Sequence, residues 1–424
     1  MSSDTRYVVG YDLNDIMTQI SYFEVNTEEP ETLVADGETE RFGIPTILCK
    51  RQKVSQWSFG NEARHLIDQD GEAEVSKLLM LAKDNKSITI EGEEFAGIDL
   101  LILFVRKSLN LLSLNFALEQ IKMLAFTVPT LDKAMISVLE RVAAAMPIAR
   151  EKIFFQSYSE SIYCYMLHQP AELWEHEVAV FDHDGHDINC YHMKLNRRTT
   201  PTVGMVDEYF FDGLRAPDEN DSDKDIAILD DRIYDAMHDF LMPKMVKAVY
   251  LIGDGFEGEW CKHAIHFLCM GRRVFQGKNM YSKGACYAAK DRIVPFELND
   301  SYVFLGKDKL QFNLGMKMLR NGVEEYIAVA DGGENWFDVG NTMEFLLVDG
   351  SSIKFLVTPL DGKEIKEIEM VLDGLPVRPP KATRLRMLVT FESGTRVKIH
   401  VEDMGFGEIF PASGMTFNNE IDIV

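Results

Sequence analysis

The sequence predicts an α/β domain followed by an all-β domain, and three observations carry that prediction. Up to about Arg292, strand-like apolar runs alternate with stretches whose apolar residues recur at helical spacing. Beyond Pro295 nearly every apolar run is short and strand-like. Those later runs are punctuated by Asp-Gly and Ser-Gly pairs at hairpin-like intervals, the pattern of an antiparallel β-sandwich. The change of texture divides the 424 residues into 1–293 and 296–424, in keeping with about one domain per 150 residues or so.

The elements follow in order. RYVVGYDL and MTQISYFEV are strands joined by the polar turn Asn14–Asp15, which makes an N-terminal hairpin. IPTILCKR and WSFGNEA add strand or turn material, and helices are predicted over Glu72–Ala82 and Gly97–Leu112. KMLAFTVP is a strand ended by Pro129, after which LDKAMISVLERVAAAM repeats apolar residues at helical spacing. KIFFQ, a helix over Ser161–His168, EVAVFDHD and INCYHMKL come next. The acidic run Pro217–Asp225 reads as a solvated loop. The helix IAILDDRIYDAMHDFLM, the strand AVYLIGDG and the helix EWCKHAIHFLCM close the α/β part. The β part runs through YVFLG, KLQFNLGMKM, EYIAVADG, TMEFLLVDG, IKFLVTPLDG, IKEIEMVLDG, LRMLVTFESG, RVKIHVED and EIDIV.

Composition excludes several classes of function. Sixty-eight acidic against forty-four basic residues leave a net charge of -24, which opposes broad contact with nucleic acid or an anionic membrane. The longest apolar stretch, Phe95–Leu118, is broken by Asp99, Arg106 and Lys107, short of the roughly 18 uncharged residues a membrane span requires, so it reads as a buried helix. The N-terminus enters a strand with no basic-then-apolar leader, and a cytoplasmic location is expected. Six cysteines (Cys49, Cys164, Cys190, Cys261, Cys269, Cys286) contain no CxxC pair, so they are expected to be small buried apolar groups. No GxSxG, Walker loop, HExxH or dinucleotide fingerprint is present, and Asp230 and Asp231 are expected on a helix surface.

The order of several motifs resembles the ATPase domain of the 70-kDa heat-shock chaperone and actin superfamily. GYDLNDIMTQISYF looks like its first phosphate hairpin, and IPTILCKR with FGNEAR is similar to the chaperone's Pro-Ser-Val-Val and Val-Gly-x-x-Ala stretches. AFTVPTLDKAMISVLERVAAAMPIAREKIFFQSYSESIYCYML resembles the connecting segment, which makes Glu160 the counterpart of the carboxylate that holds the catalytic water. VAVFDHDGHDINCYHM stands at the second phosphate hairpin, VYLIGDGFEGEWCKHAIHFL at the adenosine motif, and GKNMYSKGACYAAKDR at the closing motif. LDGLPVRPPKATRLRMLVTFESGTRVKIHVEDMGFGEI is similar to the chaperone's β-sandwich segment. The resemblance implies a two-lobed, actin-like (ribonuclease H-like) fold over 1–293 and a peptide-binding sandwich over 296–424. No helical stretch follows EIDIV, so a lid is not expected. It implies catalytic roles for Asp12, Glu160 and Asp182, and nucleotide contacts at Asn14, Lys77, Gly185, Gly253 and Gly255.

The chemistry departs from that pattern. Phosphate hairpins use small residues so that backbone N–H groups approach the anion. Here Asn14, Asp15 and Ile16 replace Gly-Thr-Thr, placing Asp15 where phosphate would sit. Asp182 and Gly185 remain in the second hairpin, but His183, Asp184, His186 and Asp187 replace a leucine, two glycines and a threonine. Two like charges about 4 Å apart at an effective dielectric near 20 repel by roughly 4 kcal/mol, about three powers of ten in affinity. Asp254 crowds the adenosine motif, and only about thirty residues separate Met193 from Ile226, where the family inserts its adenine clamp. Lys77 aligns with the family's phosphate-touching lysine, but a lone lysine opening an amphipathic helix is more often solvated.

Three functions stay open. The first is a chaperone-like adaptor with a degenerate ATPase domain, no resident cofactor, and a protein or peptide client on the sandwich; Leu310, Phe312, Leu314 and Met316 line either that groove or the core. The second is a divergent ATPase using ATP or ADP with magnesium, in which Asp12, Asp182 and Glu160 hold the metal and the attacking water. The third is a metal-dependent hydrolase on the hairpin 182–187, where His183, His186 and Asp184 are candidate ligands, although alternation along a strand sends neighbours to opposite faces. Cys261, His263, His266 and Cys269 form another tempting set that reads as core packing.

Overall fold

The computed structural model describes residues 6–34, 42–51, 56–70, 73–360 and 362–423. The chain forms two compact units, one of Met1–Leu195 with Gly204–Ser301 and the other of Asn196–Val203 with Tyr302–Val424.

The first unit is a mixed α/β structure built on two principal sheets. β1 (Tyr7–Asp12) and β2 (Met17–Glu24) form an antiparallel hairpin, and the short strands β3 (Glu31–Thr32) and β4 (Ile44–Pro45) extend β2. β5 (Leu48–Lys50), β6 (Trp57–Phe59) and β7 (Glu74–Val75) make a small side sheet carrying α1 (Gly60–Asp70). α2 (Leu78–Lys83), the hairpin of β8 (Ser87–Ile90) and β9 (Glu93–Ala96), and α3 (Gly97–Leu109) follow. The chain then returns beside β1: β10 (Ile121–Val128) pairs parallel with it, α4 (Lys133–Ala144) crosses over, and β11 (Ile153–Ser157) pairs parallel with β10. α5 (Tyr158–Leu167) leaves the edge, and the sheet order is β11-β10-β1-β2-β3.

The second sheet repeats this plan. β12 (Glu177–His183) and β13 (Ile188–Asn196) form an antiparallel hairpin, with β14 (Thr202–Phe211) beside β13. After α6 (Asp223–Leu241), β15 (Val246–Ile252) pairs parallel with β12. α7 (Lys262–Cys269) crosses over to β16 (Arg273–Gln276), parallel with β15, and α8 (Met280–Asp291) follows. In both sheets a hairpin comes first, and helical crossovers then add parallel strands on the far side of its first strand, as parallel pairing requires. β10 and β12, covered on both faces, are buried almost throughout.

α5 and α8 meet directly. A Cβ on Gly284 of α8 would lie 2.0 Å from the Ser161 carbonyl oxygen of α5, so only glycine permits this crossing. A Cβ on Gly10 of β1 would lie 2.1 Å from the Ser282 carbonyl oxygen, which sets α8 against the first sheet.

The helix bounds differ from the sequence expectation in informative ways. α5 begins at Tyr158 rather than Ser161 because Ser157 caps it, accepting from the Glu160 N–H. α3 ends at Leu109 and the apolar stretch continues as 3₁₀ turns to Leu114. Asp230 is buried rather than on a helix surface, its carboxylate accepting the N–H groups of His263 and Ala264 at the start of α7. Among the described residues no helix is long and apolar enough to cross a membrane.

The second unit is strand-rich. After β17 (Tyr302–Phe304), β18 (Phe312–Arg320), β19 (Val323–Ala330), β21 (Ser352–Pro359) and β22 (Lys366–Val371) form the sheet β19-β18-β21-β22, while β20 (Asn341–Leu347), β23 (Thr383–Ser393), β24 (Arg396–Gly405) and β25 (Thr416–Asp422) form β20-β23-β24-β25. Burial alternates along β21 of the first of these sheets and along β23 and β24 of the second, so each has one apolar face, and Phe312 of one meets Phe391 of the other at 6.3 Å between ring centroids. Leu310, Phe312, Leu314 and Met316 are all buried. Their alternation is that of core residues, and the groove expectation for these four is withdrawn.

Candidate functional site

A cleft of about 830 Å³ opens in the first unit at the carboxyl ends of β1, β10, β12 and β15, where open parallel sheets leave ligand crevices. Asp12 ends β1 and Asp182 lies one residue from the end of β12, so the two hairpins contribute matching carboxyl groups to its floor.

Each aspartate meets a tyrosine. The Tyr158 hydroxyl donates to Asp12 Oδ1 at 2.6 Å, and the Tyr281 hydroxyl donates to Asp182 Oδ2 at 2.8 Å. The two phenol rings stack 3.7 Å apart, 9° from parallel. Asn14 completes the first pair, its Nδ2 donating to the Tyr158 hydroxyl while its Oδ1 accepts the N–H groups of Ile16 and Met17 and shapes the turn.

Burial dominates the electrostatics. It pushes the Asp12 carboxyl up to about 8, with the Asp182 charge adding to the rise and the Tyr158 bond opposing it. Asp182 is raised to about 6, again by burial first, with Tyr281 opposing and the charges of Asp184 and Asp254 reinforcing. Both phenols lie well above their ordinary value, because burial and the adjacent carboxylates disfavour a phenolate. Near neutrality the floor therefore holds a protonated Asp12 and two protonated tyrosines.

The remaining sequence candidates fall in several places. Asp15 caps α2, accepting the Leu79 N–H at 2.7 Å and the Met80 N–H at 3.1 Å, so its charge is engaged by backbone donors. Lys77 is exposed, left-handed at φ 56°, and does not line the cleft; Arg64, Lys83 and Lys278 do. Of these, Lys83 pairs with Asp132 and Lys278 with Glu257. Glu160 sits half-buried in the first turn of α5 and does not line the cleft, whereas Tyr158, two residues earlier, does. Gly253 lines it with φ 88°, and a Cβ there would lie 2.8 Å from Asp182 Oδ1. Gly255 packs instead on the His183 ring, and Gly185 turns the β12–β13 hairpin at φ 98°.

The hairpin 182–187 does not gather its histidines. His183 is fully buried between Phe256 and Trp260, its Nδ1 accepting the Gly185 N–H, and burial lowers its pKa. Asp184 is exposed and accepts the N–H groups of His186 and Asp187, and His186 is exposed. Cys261 is buried, but His263, His266 and Cys269 are exposed, and His263 stacks on Tyr234 and bonds Asp231, so the core-packing expectation holds only for Cys261. Among the described residues no three His, Cys, Asp or Glu side chains are placed to hold a metal. Cysteine burial is likewise mixed, with Cys164 half-buried and Cys269 exposed.

Residues 29–307 match the C-terminal model of a family of unknown function, DUF5716, and residues 309–423 match a domain of unknown function, DUF8552. The chain belongs to the DUF5716 family. No curated protein matches it. In this DUF5716 member the cleft and both aspartate–tyrosine pairs are supplied within the first unit.

The tyrosines were missed in the sequence. The available signal was a repeat: α5 begins Tyr158-Ser159 and α8 has Tyr281-Ser282 in its first turn. Each follows the last parallel strand of its own sheet.

Proposed function

We propose that this protein is a chaperone-like adaptor: an actin-like, two-lobed domain that no longer carries out ATP chemistry, joined to a β-sandwich that binds an extended segment of a client protein. The repeated plan of the two sheets, hairpin first and parallel strands added by helical crossovers, supports the actin-like reading. The observation that carries the loss of phosphate chemistry is the pair of hydrogen bonds from Tyr158 to Asp12 and from Tyr281 to Asp182. Asp12, protonated near neutrality and bonded to a phenol, is a poor partner for a hydrated cation, one Asp182 oxygen is already taken by Tyr281, and aromatic rings supply none of the donors that cradle phosphate. Fold analogy alone assigns the client. Its support is that β19, β22, β20 and β25 end their sheets, as strand addition requires.

The deciding experiment is a thermal melt of the full chain with magnesium and ATP or ADP. A ligand at a hundredfold excess over its Kd stabilises by about 2.7 kcal/mol. The adaptor reading expects almost no shift, and a shift of that size would sink it and favour the divergent ATPase instead.

A further inference from the structure

We propose that the outward face of α3 is where two copies of this chain associate, the two helices packing antiparallel about a two-fold axis that passes between Ile102 and Leu103. The contact involves neither the cleft nor the second unit, so it holds or fails independently of the adaptor reading.

α3 carries apolar residues on more than its core face. Leu101, Phe104 and Val105 are buried and satisfy the packing of the helix within its own unit. Asp99, Ile102, Leu103 and Arg106 recur at i, i+3, i+4 and i+7, which puts all four on one further stripe. Asp99 and Arg106 at the ends of this stripe are exposed, and Ile102 and Leu103 between them are only half-buried. The stripe lines an open groove of about 790 Å³, together with Trp57, Phe95, Leu118 and Pro147. Trp57 and Phe95 meet edge to face, 5.2 Å between ring centroids. Single apolar side chains on a surface are ordinary, whereas a contiguous patch bounded by charges marks a contact surface.

The charges indicate what covers it. Asp99 stands in the first turn of α3, and Arg106 and Lys107 stand in the last, with no ion pair to any of the three among the described residues. An acid at the start of a helix and bases at its end offset the helix's own dipole, which accounts for the signs but not for the apolar pair centred between them. The midpoint of Asp99 and Arg106 falls between Ile102 and Leu103. A two-fold axis at that midpoint sets Asp99 of each copy against Arg106 of the other and Ile102 of each against Leu103 of the other. The stripe is then its own complement, as an isologous contact requires. A parallel arrangement would instead oppose Asp99 to Asp99. With a net charge of -24, two copies repel each other in general, so a contact between them is favoured where the bases of one meet an acid of the other.

The test is the oligomeric state of the full chain, followed by sedimentation velocity under reducing conditions because Cys269 is exposed. Over about 1 to 100 μM, the range that populates a dimer of micromolar Kd, the parent should pass from monomer to dimer. Asp99→Arg alone and Arg106→Asp alone each oppose like charges across the axis and should weaken the dimer by at least about tenfold. An equimolar mixture of these two variants restores opposite charges at both ends and should recover the parent's dimer, which a purely structural effect of either change would not do. If either variant lacks the parental melting curve, Asp99→Asn and Arg106→Gln, which remove charge without reversing it, decide instead: each should weaken the dimer, and an unchanged dimer overturns the contact. A parent that stays monomeric overturns it and leaves the groove to a helix of another protein. A parent dimer that survives both reversals, or a mixture of folded variants that stays monomeric, overturns it as well. A nucleotide-induced melting shift in the parent would sink the adaptor reading and leave these outcomes untouched.

Discussion

Asp12 and Asp182 stand at corresponding ends of β1 and β12, and each accepts a hydrogen bond from the first-turn tyrosine of a helix that follows its own sheet. A buried carboxyl in such a place makes stability depend on pH in a defined direction. Asp12 titrates near 8 when folded and near 4 when unfolded, so between those values the folded protein keeps a proton that the unfolded chain has lost. Stability contributed by the protonated group is therefore present in full below about pH 4 and is lost as pH rises towards 8. Asp12→Asn keeps an acceptor for Tyr158 and removes the titration. Urea unfolding should find the variant more stable than the parent at pH 8, by on the order of a few kcal/mol, with the gain shrinking at pH 5. A variant less stable at pH 8 would show that Asp12 is held as a carboxylate.

The second unit predicts the opposite sign at its own buried acid. Arg378 forks onto Asp403 with both contacts at 2.7 Å, Asp403 also accepts the N–H groups of Gly405 and Ser413, and both side chains are almost wholly buried. These bonds hold the Asp403 carboxyl far below the usual range, so its contribution is present above about pH 4 and is lost as pH falls below it. Arg378→Ala strands a buried carboxylate and should cost about 3–5 kcal/mol at pH 7. Limited proteolysis should then cut within 302–424 first. A loss under 1 kcal/mol would mean that water replaces the guanidinium.

How much of this was legible follows from which physical signals are local. Strand and helix periodicity placed β1, β10, β12 and β15 and therefore Asp12, Asp182 and Gly253 at strand ends, because apolar alternation is written into neighbouring residues. The Ser157 cap moved α5 three residues earlier than its apolar pattern suggested and so brought Tyr158 to the floor. Lys77 and Glu160 were assigned by resemblance, and no local signal shows that a side chain at a cap position, or three residues past one, will miss a cleft. The ring stack joins residues 158 and 281, and Asp230 caps a helix more than thirty residues away; tertiary packing decides both.

His183 gives a test of the metal reading. Its ring is buried against Phe256 and Trp260, and Gly255 leaves space for it. Elemental analysis of protein purified without a histidine tag should find less than one equivalent of transition metal. His186→Ala should leave stability within about 0.5 kcal/mol, whereas His183→Ala should cost about 2–4 kcal/mol through the cavity it leaves. A full equivalent of metal lost with both changes would restore a metal centre at this hairpin.

The client-binding reading must move to residues that are exposed. Phe312 is buried in the core of the second unit, so Phe312→Ser should unfold that unit and says nothing about binding. Val377, Phe406 and Ile409 are the better candidates, with Ile409 83% exposed and Val377 wholly so. They lie on two segments tied to one base, because Arg378 donates both to Asp403 and to the Pro411 carbonyl. The tie fixes the backbone on either side of three apolar side chains and so lowers the entropy that a bound segment must overcome. Val377→Ser, Phe406→Ser and Ile409→Ser together remove apolar surface without touching that base, so the melting temperature should stay near the parent's. Fluorescence anisotropy with a labelled, permanently unfolded polypeptide should show weaker binding by at least about tenfold, since losing roughly 1.4 kcal/mol of contact suffices for that factor. Unchanged binding by a folded triple variant would place the client surface elsewhere on the protein.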